Sequence, residues 1–232
     1  MWERLSDVHS VEDDELMKVH SEHDQSELLV DNPAGFVLTA RVGTNAELLA
    51  DAFKLFVPAG VTVADVTYGR GNFWSELDQT QYQVLKSDLS PKTPDTVRAD
   101  FRALPYPDNF VDVLLFDPPY AHGGMTMKKS IILPFGYSIG DHAGVIQQYA
   151  DGIREAARVL RKRGLALLKC QDEIESGIQC WSHIEIKDLL ETNGFQLEDM
   201  LTLVQKSQPA MRVDYQKHAR KNHSYLWVAR LR

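Results

Sequence analysis

The chain has no apolar run of the roughly 18 residues that a membrane-spanning helix needs, and its acidic amino terminus lacks a signal-peptide apolar core. A cytoplasmic protein with no membrane partner is therefore expected. Cysteine is scarce. Cys170 and Cys180 are the only two, too few for a disulfide framework and without zinc spacing, so a reducing compartment and no metal are expected. The histidines show no ligand spacing either. No internal repeat or low-complexity tract is present. The phosphate-loop pattern Gly-x-x-x-x-Gly-Lys-Ser/Thr is absent, and Gly69-Arg70-Gly71 lacks the third glycine of a dinucleotide fingerprint, where Trp74 stands. A ligand held through a pyrophosphate is thereby disfavoured.

What is present is ordinary in amount and uneven in placement. With 44% hydrophobic and 25% charged residues, the chain has the make-up of a globular domain, and 232 residues suffice for one substantial core. The net charge of −8 is not spread evenly. Residues 1–30 carry nine acids against Arg4 and Lys18, a balance of −7. Residues 201–232 carry Lys206, Arg212, Lys217, Arg220, Lys221, Arg230 and Arg232 against Asp214, a balance of +6. Such segregation predicts a poorly ordered acidic arm over residues 1–33 and a polyanion-facing end on a domain spanning 34–232.

Periodicity divides that domain into alternating elements. Thr44-Asn45 opens a helix, with Glu47 in its first turn and Leu48, Leu49, Ala52 and Phe53 at helical spacing. Strands are expected at Val61–Val66, Tyr82–Lys86, weakly near Arg98–Phe101, and at Val111–Phe116, Leu165–Lys169, Phe195–Val204 and Tyr225–Arg230. Phe73–Leu77 is read as the opening of a second helix. Val145–Arg163 is the clearest helix, stopped by Gly164, and Ile184–Thr192 is another. Strands alternating with helices predict an α/β fold: a doubly wound, mostly parallel, seven-stranded sheet whose last two strands form an antiparallel hairpin. Residues 121–144 make a loop longer than most connections, which favours a lid or binding loop.

The strand Val111–Phe116 ends in Asp117-Pro118-Pro119-Tyr120. Open α/β sheets bind ligands at that end. The exocyclic amine of a nucleobase is a poor nucleophile because its lone pair is delocalised into the ring. A carboxylate from Asp117 accepting one N–H and a carbonyl from Pro118 accepting the other would draw the nitrogen towards sp3 geometry. Pro119 stiffens the turn, and Tyr120 can stack on the base. Acids recur at the neighbouring strand ends. Asp65 precedes Thr67-Tyr68-Gly69-Arg70-Gly71, whose glycines permit close backbone approach, and could accept from an ammonium. Asp88 stands where ribose hydroxyls are gripped. Asp100 could accept from an adenine amine, with Phe101 on the ring. Together these describe a nucleoside pocket without a pyrophosphate.

These residues resemble the class I S-adenosylmethionine-dependent amino methyltransferases of the Asp-Pro-Pro-Tyr type, which methylate adenine N6 or cytosine N4 in DNA, with relatives acting on RNA. The resemblance covers residues 35–232. It implies S-adenosylmethionine as cofactor, with Thr44 and Asn45 near its methionine carboxylate. Thr67 departs from the fullest form of the loop, which has a glycine there. A separate target-recognition domain is missing, so recognition is expected from residues 121–144 and 205–223 or from a partner protein. Lys128, Lys129, Lys206, Arg212, Tyr215, Lys217, Arg220 and Lys221 suit phosphate contacts and stacking, and Gln171 could meet the edge of a flipped base. Adenine N6 in DNA leads, then cytosine N4, then an RNA guanine N2 or adenine N6 enzyme, then a non-catalytic cofactor-binding module. A monomer or a homodimer suits each.

Overall fold

Alternation along the strands builds two cores, one on each face of a sheet. In β5 (Val111–Phe116), Val113 and Leu115 join one apolar cluster while Leu114 and Phe116 join the other. The computed structural model describes residues 35–119, 141–205 and 217–232, and Val37–Arg232 is one compact unit. The acidic arm expected over 1–33 and the long loop of 121–144, up to residue 140, lie outside the described residues.

The strands are β1 (Ala40–Gly43), β2 (Thr62–Asp65), β3 (Gln83–Asp88), β4 (Val97–Arg98), β5, β6 (Leu160–Cys170), β7 (Glu173–Glu175), β8 (Ile178–Cys180), β9 (Phe195–Gln205) and β10 (His223–Leu231). Eight of them form one sheet in the order β1-β9-β10-β6-β5-β2-β3-β4. Every neighbouring pair is parallel except the two made by β10, so the expected antiparallel hairpin is β9–β10. The helices are α1 (Asn45–Phe56), α2 (His142–Val159) and α3 (Ser182–Thr192). α1 packs Leu48, Leu49, Ala52 and Phe53 into one core; α2 and α3 pack Val145, Tyr149, Ile153, Ile186 and Leu190 into the other. The sheet is therefore doubly wound. Among the described residues no helix is long and apolar enough to cross a membrane.

Local chemistry sets the ends of these elements. A reciprocal capping box starts α1: the Glu47 N–H donates to Thr44 Oγ1 at 3.2 Å, and the Thr44 N–H donates to Glu47 Oε2 at 2.8 Å. Asp141 caps α2 by accepting from the Gly144 N–H at 2.9 Å.

Four features differ from the sequence expectation. The sheet has an eighth strand, β1, whose Ala-Arg-Val-Gly is too short and too exposed to carry an apolar signal. α2 stops at Val159 rather than at Gly164. Leu160 is already extended and pairs with Val111, because both bury completely in the sheet. Phe73–Leu77 does not open a helix; a short 3₁₀ turn at Asn72–Trp74 stands there instead. A small hairpin, β7–β8, turns at Ser176 and Gly177, both with positive φ (48° and 78°), as the favoured two-residue turns require.

Candidate cofactor and amine site

The parallel strands β2, β3, β5 and β6 end at the same edge, which brings their terminal residues together. A cavity of about 410 Å³ opens there, within the size range of small-molecule sites. Asn45, Thr67, Gly69, Asp88, Phe101, Asp117 and Pro119 of the expected site line it. So do Arg70, Asn72, Phe73, Ser90 and Lys92, which sequence reasoning did not single out.

The loop after β2 is held by carboxylates. Asp65, 3% exposed, accepts from the Thr67 N–H at 3.1 Å and from the Trp74 indole N–H at 2.8 Å. Burial pushes its carboxyl up to about 7, against the lowering effect of those two bonds. Asp65 thus anchors the loop from beneath and does not line the cavity. Asp88 accepts from the Gly69 N–H at 2.9 Å and the Ser90 N–H at 2.7 Å. Gly71 has φ 74°, and a side chain there would meet the Tyr68 phenol at 2.6 Å. Only glycine fits both constraints. Tyr68 itself is a core residue, 8% exposed, packed away from the cavity.

Thr67 has a definite task. Its hydroxyl accepts the Asp117 N–H at 2.8 Å, which ties the loop after β2 to the turn after β5. The missing glycine is thereby accounted for: a side-chain clamp stands in its place. The turn is held from α2 as well, where the buried Gln148 amide donates to the Pro119 carbonyl at 2.6 Å.

Asp117 lines the cavity with a side chain that is 24% exposed, yet its Oδ1 is buried and accepts no hydrogen bond. That oxygen lies 3.7 Å from Nζ of Lys169, whose side chain is 0% exposed. Burial pushes the Asp117 carboxyl above the usual carboxylate range, and the Lys169 ammonium opposes the rise. Tyr149 donates its hydroxyl to the Lys169 carbonyl at 2.9 Å, fixing the end of β6. Lys169 was missed in the sequence. Its signal was a lone lysine closing the apolar run Leu165–Leu168 on a strand that ends beside Asp117.

Other expected residues sit elsewhere. Thr44 is occupied by its capping box, while the neighbouring Asn45 faces the cavity with Oδ1 buried and unbonded. Asp100 is turned to Arg102 at 2.6 Å, which holds its carboxyl below the usual range, and it does not line the cavity. Pro118 is buried between Asp117 and Pro119, the two residues of the turn that line the cavity. Cys170 is fully buried, and burial pushes its thiol up, as suits a small hydrophobe. Tyr120 of the expected catalytic tetrapeptide and, of the substrate residues, Lys128, Lys129, Lys206, Arg212 and Tyr215 lie outside the described residues. Lys217, Arg220 and Lys221 belong to a segment fastened at the carboxyl ends of the strands. The His218 ring meets the Gly177 carbonyl at 2.7 Å, and the Gln171 amide donates to the Lys221 carbonyl at 3.3 Å. None of these residues lines the cavity.

No family model matches the sequence, and no curated protein sequence matches it. Solved structures do. The 1,6-didemethyltoxoflavin-N1-methyltransferase of Burkholderia thailandensis, solved with 1,6-didemethyltoxoflavin and S-adenosylhomocysteine, superposes with a TM-score of 0.53 at 13% identity, covering 93% of this chain and 86% of that one. The PH0226 protein of Pyrococcus horikoshii OT3 gives 0.52 at 16% identity, covering 80% and 89%. The [4+2]-cyclase SpnF gives 0.50 at 16% identity, covering 80% and 79%. At such identities the likeness is one of architecture, and it extends to a protein named for a different reaction. The chain has the Rossmann-like methyltransferase fold.

Proposed function

We propose that this protein transfers a methyl group from S-adenosylmethionine to the exocyclic amine of a nucleobase in DNA, adenine N6 foremost. The observation that carries the reading is that Asp117, with an unbonded carboxylate oxygen, shares one cavity with Asn45, Gly69 and Asp88. The residues fit the cofactor. Asn45 has a buried unbonded oxygen, Gly69 leaves the backbone open to close approach, and Asp88 lies at the strand end where ribose hydroxyls are gripped. When bound, S-adenosylmethionine supplies an electrophilic methyl carbon.

The chain's own groups position the amine. Asp117 accepts one N–H, the Pro118 carbonyl accepts the other, and Tyr120 stacks on the base. The clamp between Thr67 and the Asp117 N–H, at 2.8 Å, keeps the amine end in register with the loop that holds the cofactor. Catalysis of this kind rests on orientation and fixed electrostatics rather than on a covalent enzyme intermediate. The basic residues of 206–221 supply the phosphate contacts in this reading, and the target nucleotide leaves the stack to reach the cavity.

The test is a mass count of methylated nucleosides. The protein is incubated with S-adenosylmethionine and duplex DNA, single-stranded DNA or total RNA, beside an Asp117→Ala control. N6-methyladenine in DNA, absent from the control, is expected. N4-methylcytosine would keep every residue in its role and change the base. Methylated RNA alone would move the substrate, and S-adenosylhomocysteine binding with no methylated base in any sample would overturn the transfer reading.

A further inference from the structure

We infer that Lys169 is a positioning residue that holds the Asp117 carboxylate as an ion at the amine site. The inference rests on the methyl-transfer reading above and adds to it the group that controls the state of its catalytic carboxylate.

A lysine with 0% exposure needs a reason, because an ammonium is among the costliest groups to bury unpaired. Its placement follows from register. β5 and β6 run parallel with Phe116 opposite Leu168, so the next residues on the two strands, Asp117 and Lys169, emerge side by side. The ammonium lies 3.7 Å from Asp117 Oδ1 and 5.9 Å from the centroid of the Phe73 ring, which lines the cavity. It therefore sits beneath the floor of the site, between the amine end and the cofactor end.

The other groups facing Asp117 explain the need. Asp65, from the end of β2, is a second buried acid, and the Asp117 charge is one of the causes that push its carboxyl up. The Cys170 thiol of β6 is buried and uncharged beside it, and the Thr67 hydroxyl takes the Asp117 N–H. Among the described residues Lys169 is the cation within ion-pair distance of Asp117. Protonation of Asp117 would replace an acceptor by a donor. A donor aimed at the amine lone pair would occupy the electrons that must form the new N–C bond. The 3.7 Å separation matters for the same reason. The charge reaches the carboxylate from its buried Oδ1 side, and the rest of the part-exposed side chain faces the cavity, where a substrate N–H can meet it.

Single-turnover transfer rates measured against pH for the wild type, Lys169→Met and Lys169→Arg test this, with S-adenosylhomocysteine binding measured over the same range. In Lys169→Met the acid limb of the profile moves up by about 1–3 pH units, the usual effect of one close opposite charge, while cofactor-product binding stays within a few-fold. Lys169→Arg keeps the limb near its wild-type position. An unmoved limb in Lys169→Met, or a loss of rate equal at all pH values, overturns the inference. If Lys169→Met does not fold, the 13Cγ titration of Asp117 in the wild-type protein, assigned with Asp117→Asn, decides. A carboxylate ionised at neutral pH supports the role of Lys169, and a protonated one overturns it. If the wild type methylates no nucleic acid, the functional reading fails, and the same titration in the wild type and Lys169→Met still reads the pairing directly.

Discussion

The strand ends around the cavity are finished to different degrees. At the ends of β2 and β3, Asp65 and Asp88 together accept four hydrogen bonds, from the Thr67, Gly69 and Ser90 N–H groups and from the Trp74 indole. At the end of β5, Asp117 keeps a buried oxygen that accepts none and faces a buried ammonium at 3.7 Å. A loop that must present its backbone in one shape is best held by complete bonding beneath it. A group that must accept from a substrate is best left with capacity to spare, and buried acceptors without partners are rare enough to mark such places. The Thr67 hydroxyl, bonded to the Asp117 N–H, is where the two designs meet.

The comparison can be broken at either end. The largest effect belongs to the unfinished end: Asp117→Ala lowers the methyl-transfer rate by about 100-fold or more and leaves S-adenosylhomocysteine affinity within a few-fold, read by single-turnover kinetics and calorimetry. An equal loss of both would mean that the two ends are not separable. At the finished end, Gly71→Ala forces a positive φ on a residue with a side chain and drives it into the Tyr68 phenol. Its S-adenosylhomocysteine affinity falls about 10-fold, the equivalent of roughly 1–2 kcal/mol of backbone strain. Trp74→Phe strips one donor from Asp65 and costs about 1–3 kcal/mol of stability in denaturant titration, with a smaller loss of binding.

The smallest effect is a slope. The folded-state carboxyl of Asp65 is pushed up to about 7 by burial, while in the unfolded chain it titrates near its usual value of about 3.9. The folded protein therefore holds this proton more tightly. The stability that Asp65 contributes is complete below about pH 4 and is lost as pH rises through about 7. Asp117 is shifted in the same direction. Melting temperature should accordingly fall between about pH 4 and about pH 7, and Asp65→Asn should flatten that fall by roughly a few degrees. An unchanged slope in the variant would mean that Asp65 is not the group being titrated.

Much of this was legible in one dimension because it is local or periodic. The apolar runs at Val111–Phe116 and Leu165–Leu168 marked buried strands. The Thr44-x-x-Glu47 box marked the start of α1, and Asp117-Pro118-Pro119 after an apolar run marked a strand end with chemistry. The acids at successive strand ends were visible too, but their present partners were not. Asp65 spends both oxygens on Thr67 and Trp74, and Asp100 turns to Arg102, because each choice depends on what the fold brings within about 3 Å.

Lys169 shows the boundary most clearly. Its sequence neighbours say only that a strand is ending, and a terminal lysine ordinarily reaches water. The register of β5 on β6 places it beside Asp117 instead, and the packing of β10 on the other side of β6, with Leu226 opposite Lys169, helps keep it buried. Amino-acid order by itself determined most of the elements and the kind of residue at each strand end, since those follow from backbone propensity and apolar period. Only the tertiary structure decided which carboxylates are bonded and which one is left open, because pairing depends on distances between strands that are far apart along the chain.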